Sequence, residues 1–159
     1  MTFFLGGGMA LQVGDQAPLF TLNDDNNQLV SLQDFRGRSV VIYFYPKDET
    51  PGCTREACDF RDSIEQFQKK NAVVLGISKD SVKSHQKFKN NHQLPFTLLA
   101  DESTAVCKKY QVWMQKQMMG KKYMGIDRTT FVIDKNGIIT HIWHGVKVEG
   151  HVADVLKQI

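Results

Sequence analysis

Two cysteines five residues apart, Cys53 and Cys58, stand in the run Pro46-Lys47-Asp48-Glu49-Thr50-Pro51-Gly52-Cys53-Thr54-Arg55-Glu56-Ala57-Cys58-Asp59-Phe60-Arg61. Thr50 is of the type that caps a helix, and Pro51 suits the first helical position. Cys53 then falls in the first turn, where unpaired backbone N–H groups and the positive end of the helix dipole favour a thiolate over a thiol. Gly52 leaves the approach to the sulfur open. Such a thiolate is a nucleophile toward electrophilic oxygen or sulfur. The competing reading is a small thiol packed inside a helix, which is what most free cysteines are.

Cys58 does not complete a Cys-x-x-Cys dithiol. On an ideal helix, residues five apart differ by about 140° in direction and about 7.5 Å in height, so their Cα atoms lie roughly 8.7 Å apart. A disulfide needs less than about 7 Å. Cys53 and Cys58 therefore bond only if the helix unwinds its first turns. Otherwise Cys58 is a helix residue packed on the core. Cys107 lies in no such motif and reads as packing. Arg128 opens the run Thr129-Thr130-Phe131-Val132-Ile133-Asp134. If that strand neighbours residues 40–45, its guanidinium faces the cysteine loop and stabilises both a thiolate and the polarised oxygens of an oxidant. Taken alone, an arginine at a strand start is a solvated residue.

The elements that must position these groups follow from periodicity. Residues 19–22 and 28–32 flank the turn-rich Asn23-Asp24-Asp25-Asn26-Asn27 and read as a hairpin. Val40-Val41-Ile42-Tyr43-Phe44-Tyr45 is a continuous β-branched and aromatic run, expected to be buried on both faces, and Pro46 ends it. One helix is expected over residues 53–70, with Phe60, Ile64 and Phe67 on a single face. A second buried strand covers 72–78, a surface helix 81–91, a short strand 96–100 and a short helix 103–110. Strands at 130–134 and 138–143 are joined through Lys135-Asn136-Gly137, where Asn-Gly signals a hairpin, and a helix closes the chain over 150–158. Met114, Met118, Met119 and Met124 read as a loop used for flexible packing. A hairpin, then strand–helix–strand units, then a second hairpin give an α/β mixed central sheet flanked by helices, an order that fits a thioredoxin-like fold.

The 159 residues suit one domain, and 42% hydrophobic with 23% charged residues is ordinary for a globular chain. A net charge of +3 is too slight to imply a nucleic-acid partner or a membrane surface. No apolar run approaches the roughly 20 residues of a spanning helix, and three cysteines make no disulfide scaffold. Residues 1–8 read as a flexible extension, with the domain at 9–159. They lack a positive segment, since the first Lys or Arg is Arg36, so the default location is the cytoplasm. His85, His92, His141, His144 and His151 show no zinc spacing.

The run from Thr50 to Arg61 resembles the peroxidatic segment of peroxiredoxins, specifically the bacterioferritin comigratory protein or Q-type class. The opening Val13-Gly14-Asp15-Gln16-Ala17-Pro18 and the later Gly120-Lys121-Lys122-Tyr123-Met124-Gly125-Ile126-Asp127-Arg128-Thr129-Thr130-Phe131 resemble that class in the same order. The resemblance spans Met9 to Ile159. It implies a thiol peroxidase without metal or organic cofactor. Cys53 would be the peroxidatic and Cys58 the resolving cysteine, Thr50 and Arg128 would complete the site, and Pro46 would shield it. The implied substrates are hydrogen peroxide and organic hydroperoxides, the reductant thioredoxin or a similar dithiol, and the state a monomer. A low thiol pKa is not sufficient for such an enzyme. Lowering it from about 8.5 to about 6 raises the thiolate fraction near neutrality roughly thirty-fold, but the accompanying loss of nucleophilicity removes about ten- to eighteen-fold. The larger effect must come from donors that grip the peroxide, expected to be the Cys53 N–H, the Thr50 hydroxyl and Arg128. Two rivals share the fold: a thiol–disulfide oxidoreductase, for which the Cys53–Cys58 spacing is unsuited, and a redox sensor that oxidises once and changes shape.

Overall fold

The computed structural model describes residues 10–159. The extension expected at 1–8, and Met9 with it, lie outside the described residues. Among the described residues, nine strands and five α-helices follow one another as β1 (Thr21–Asp24), β2 (Leu29–Ser31), β3 (Ser39–Phe44), α1 (Pro51–Asp62), α2 (Ile64–Lys69), β4 (Ala72–Ser78), α3 (Val82–His92), β5 (Thr97–Ala100), α4 (Ala105–Lys109), β6 (Trp113–Met118), β7 (Lys121–Ile126), β8 (Thr129–Ile133), β9 (Ile139–Trp143) and α5 (His151–Lys157). Seven strands form one sheet in the order β2-β1-β5-β4-β3-β8-β9, and β6 pairs only with β7. β3, β4 and β5 run parallel, while β8, β9, β1 and β2 pair antiparallel around them. The mixed sheet expected from the order of elements is therefore present.

The continuous apolar run of β3 explains why it sits at the centre. Val40, Ile42 and Phe44 enter a core with Tyr110, Phe131 and residues of α4. The alternate residues Val41, Tyr43 and Tyr45 enter a second core with Ala57, Phe60, Phe67, Phe88 and Val155, contributed by α1, α2, α3 and α5. A strand covered on both faces has no position that tolerates a polar side chain without a partner, which is why alternation is missing. Tyr43 pairs with Gly76 across β3 and β4 and stacks on Phe60 at 4.6 Å between ring centres.

Two expectations are corrected. The helix over 53–70 is two helices. The chain breaks at Ser63, whose N–H turns back to the carbonyl of Phe60, although Phe60, Ile64 and Phe67 keep to the same core. The methionine loop is the β6–β7 hairpin. Its turn residues Met119 and Gly120 both have positive φ, 52° and 81°, as a two-residue type I′ turn requires. The helix expected at 81–91 lies on the surface as α3 and turns His85 and Phe88 into the interior.

At Gly76 an added Cβ would lie 2.9 Å from Tyr43 Cζ and 2.9 Å from Leu98 Cδ2, both in the core. Gly76→Ala is expected to lower the unfolding free energy by about 1–3 kcal/mol through overpacking. Urea denaturation followed by fluorescence measures it, and an unchanged midpoint would contradict the packing described.

Candidate active site

β3 ends at Phe44, and residues 45–50 carry the chain to α1, so the helix begins just past the C-terminal edge of the central strand. Two side chains pin this loop to α3. Asp48 is buried, and its carboxylate accepts from the Tyr45 hydroxyl (2.6 Å) and the Ser84 hydroxyl (2.8 Å) and meets His85 Nδ1 at 2.7 Å. Its N–H donates to Asp80 Oδ2 (2.8 Å). Glu49, in the left-handed region at φ 64°, holds Asn91 Nδ2 at 2.7 Å and His92 Nε2 at 2.9 Å. Those bonds pull the Glu49 carboxyl below its ordinary value.

Cys53 is the third residue of α1, so its N–H has no acceptor within the helix. The side chain is only 1% exposed. Arg128, half-buried at the entry to β8, points Nη2 at Cys53 Sγ (3.4 Å) and Nη1 at Glu56 Oε1 (2.7 Å). The register explains the placement: Phe44, the last residue of β3, pairs with Thr129, so Arg128 projects beside the loop that β3 feeds. Burial works against charge on Arg128, and Glu56 and Cys53 outweigh it, holding the guanidinium above its ordinary value. Gly52 serves this contact in an unexpected way. A Cβ there would stand 3.2 Å from Arg128 Nη2, so its missing side chain makes room for the guanidinium.

Thr50 occupies the N-cap by its backbone, yet its hydroxyl makes no capping bond. It donates instead to the Lys47 carbonyl (2.8 Å). Thr50 is thus the N-cap, as expected, but without a side-chain capping bond, and with its proton committed to Lys47 its oxygen offers lone pairs rather than a donor. Pro46 is half-buried at the start of the loop. Cys58 is half-buried in the same unbroken helix, and Cys53, Cys58 and Cys107 are all free thiols. Cys107 is wholly buried in the first core, and burial pushes its thiol up.

Sequence reasoning missed Glu56 and Lys116. Glu56 is wholly buried, and burial raises its carboxyl to about 7 despite the pull of Arg128. The signal was present: an acid between Cys53 and Ala57–Phe60 stands on the apolar face of α1. Lys116 on β6 lays its stem over Gly125, and burial pushes its ammonium down. Asp48, Asp80 and His85 bring metal-ligating atoms within 4.8 Å of one another. Tyr45, Ser84, Ser78, the Asp48 N–H and the Leu99 carbonyl already occupy that set with hydrogen bonds, which makes it an internal brace.

Parallel strands β3, β4 and β5 between antiparallel edges, with a cysteine at the head of the first crossover helix, define a thiol redox protein of thioredoxin-like fold. Solved structures agree. Xylella fastidiosa PrxQ superposes with a TM-score of 0.89 at 36% identity, covering 95% of this chain and 96% of that one. The Xanthomonas campestris bacterioferritin comigratory protein gives 0.84 at 40% identity over 87% and 88%. The AhpC/TSA family model matches residues 13–142, and the chain belongs to this family. A Coxiella burnetii relative is 55% identical over 151 residues, 95% of this chain and 100% of that protein. Peroxiredoxin Bcp of Bacillus subtilis is 48% identical over 151 residues, 95% and 96%. The resemblance seen in the sequence therefore holds, and the activity is that of a thiol peroxidase.

Arg128→Ala removes the group bonded to both Sγ and Glu56. Peroxide oxidation is expected to slow by about 10²–10³-fold, more than the loss of thiolate read at 240 nm accounts for. A rate loss equal to the thiolate loss would reduce Arg128 to a counter-ion.

Proposed function

We propose that Cys53 is the peroxidatic cysteine and Cys58 the resolving cysteine of this enzyme. The observation that carries the reading is the 3.4 Å contact of Arg128 Nη2 with Cys53 Sγ at the head of α1. The Cys53 thiolate attacks one peroxide oxygen and an S–O bond forms as the O–O bond breaks. Sulfur is oxidised to the sulfenic acid, and the peroxide is reduced to water or an alcohol after taking up a proton. Arg128 and the free Cys53 N–H donate to the oxygens as charge builds on them. Thr50, its own proton given to Lys47, accepts from the peroxide O–H, and Pro46 shields the loop side of the site.

Cys58 then condenses with the sulfenic acid. An S–S bond forms, the S–O bond breaks, and water leaves. Because both cysteines share one helix, this step requires α1 to unwind. An external dithiol of the thioredoxin type exchanges with the disulfide and restores both thiols. Alkyl hydroperoxides join hydrogen peroxide as substrates, in keeping with the alkyl peroxide reduction activity of the X. campestris relative. The site is complete within one chain and needs no residue from a second copy, in keeping with a monomer acting as a single domain over 9–159. A cytoplasmic location fits an enzyme whose two reactive cysteines are returned to thiols by a dithiol reductant. Among the described residues no helix is long and apolar enough to cross a membrane.

Stopped-flow peroxide consumption with thioredoxin as donor tests the assignment. Cys53→Ser is expected to abolish turnover. Cys58→Ser is expected to keep the first oxidation and accumulate a trappable sulfenic acid while turnover stops. Full turnover by Cys58→Ser would move the resolving role elsewhere.

A further inference from the structure

Glu56 lies between Cys53 and Cys58 on the helix that must come apart for them to meet. Its carboxyl is wholly buried. Oε1 takes the bond from Arg128, and Oε2 has no partner among the described residues. The groups facing it are few. Arg128 approaches from the head of β8, and Cys53 and Asp59 share its helix. Tyr43 approaches from β3 with a hydroxyl that also lacks a partner. On α5, beyond Arg128, His151 is pushed down to about 4 by burial and bonded to Thr130 at 2.8 Å. Only Arg128 favours the carboxylate. A buried oxygen without a donor disfavours charge, and water would supply the missing donors at once.

We propose that Glu56 couples the release of a proton to the unwinding of α1, and so positions the second half of the catalytic cycle on pH. The inference rests on the Cys53–Cys58 pairing proposed above for its role in catalysis, and on burial and the orphan oxygen for its physics. In the closed helix the carboxyl holds its proton up to about 7, against an ordinary value of 4.5 once hydrated. The closed form thus binds more protons between those values. Its advantage is fully present below the lower value and is lost as pH rises through the higher one. The closed-to-open equilibrium shifts toward the open helix by on the order of a hundredfold across that window. Asp59, also raised by burial, adds in the same direction. His151 belongs to α5, outside the segment that unwinds. Near neutrality the enzyme resolves its sulfenic acid readily, and in acid the oxidised sulfur waits in a closed helix.

The test uses the full chain with Cys53→Ser and Cys58→Ser, which removes the thiols' own titration. Amide hydrogen exchange over residues 53–58, corrected for intrinsic rates, reads the opening constant. It is expected to rise by on the order of a hundredfold between about pH 4.5 and about pH 7.5. Adding Glu56→Gln should remove most of that rise, and Glu56→Asp should restore it. A flat profile with Glu56 present, or an equal rise with Gln, overturns the proposal. Should the Gln chain fail to fold, carboxyl NMR of Glu56 in the double-serine chain decides, with a midpoint near the ordinary value overturning it. Disulfide mapping of peroxide-treated wild type tests the pairing separately. If no Cys53–Cys58 bond forms while opening still depends on Glu56, the pairing fails and the coupling stands. If the bond forms and Glu56 does not govern the opening, the coupling fails alone.

Discussion

One guanidinium, shared between a buried sulfur and a buried carboxylate, is the constraint around which the rest is arranged. Arg128 reaches Cys53 with one nitrogen and Glu56 with the other, a fork that a lysine could not present. Against buried partners each of these contacts is stronger than it would be at the surface, and each unmatched charge is correspondingly expensive. The demand propagates outward. Gly52 must lack a side chain for the fork to fit, and β8 must pair with β3 in the register that sets Thr129 against Phe44. Glu56 must be tolerated inside the protein to anchor the far side of the fork.

The two flanks of the cysteine are held very differently. Upstream, Asp48 ties the loop to Ser84 and His85 of α3 through buried or half-buried bonds, and Glu49 ties it to Asn91 and His92 at the surface. Downstream, α1 is tied to other elements by Glu56 to Arg128 and by Arg61 to the His92 carbonyl, and an exposed Arg55–Asp59 pair lies within the helix itself. Exposed pairs of that kind contribute little. The entry to the helix is therefore held by four side-chain bonds to α3, while the helix itself is attached by its apolar face, the Glu56–Arg128 ion pair and the Arg61–His92 bond. That division suits the cycle proposed above, in which the oxidant-binding groups stay in place during one step and the helix unwinds in the next.

Much of this was legible beforehand because it depends on burial and on local chemistry. The unbroken apolar run of β3, the Thr50-Pro51 start of α1 and the arginine ahead of β8 carry their roles in residue type and order. What was missed shares a different cause. β6 and β7 face water, so Gln115, Lys116 and Gln117 show no apolar alternation, and Met119-Gly120 is not the usual turn pair. The break at Ser63 leaves the spacing of Phe60, Ile64 and Phe67 intact, and periodicity does not register it. Glu56 was passed over because acids on helices are usually solvated. The Thr50 hydroxyl was assigned by residue preference, whereas the nearby Lys47 carbonyl decides where its proton goes.

In the cycle proposed above, the interruption at Ser63 bounds the part of the molecule whose shape depends on oxidation. α2 begins afresh beyond it, secured by the wholly buried Phe67, so a rearrangement of the twelve residues of α1 has no helical rod to travel along. The seven-stranded sheet contains none of those residues. In that cycle, a protein that tells a spent molecule from a fresh one would have to touch that short stretch directly.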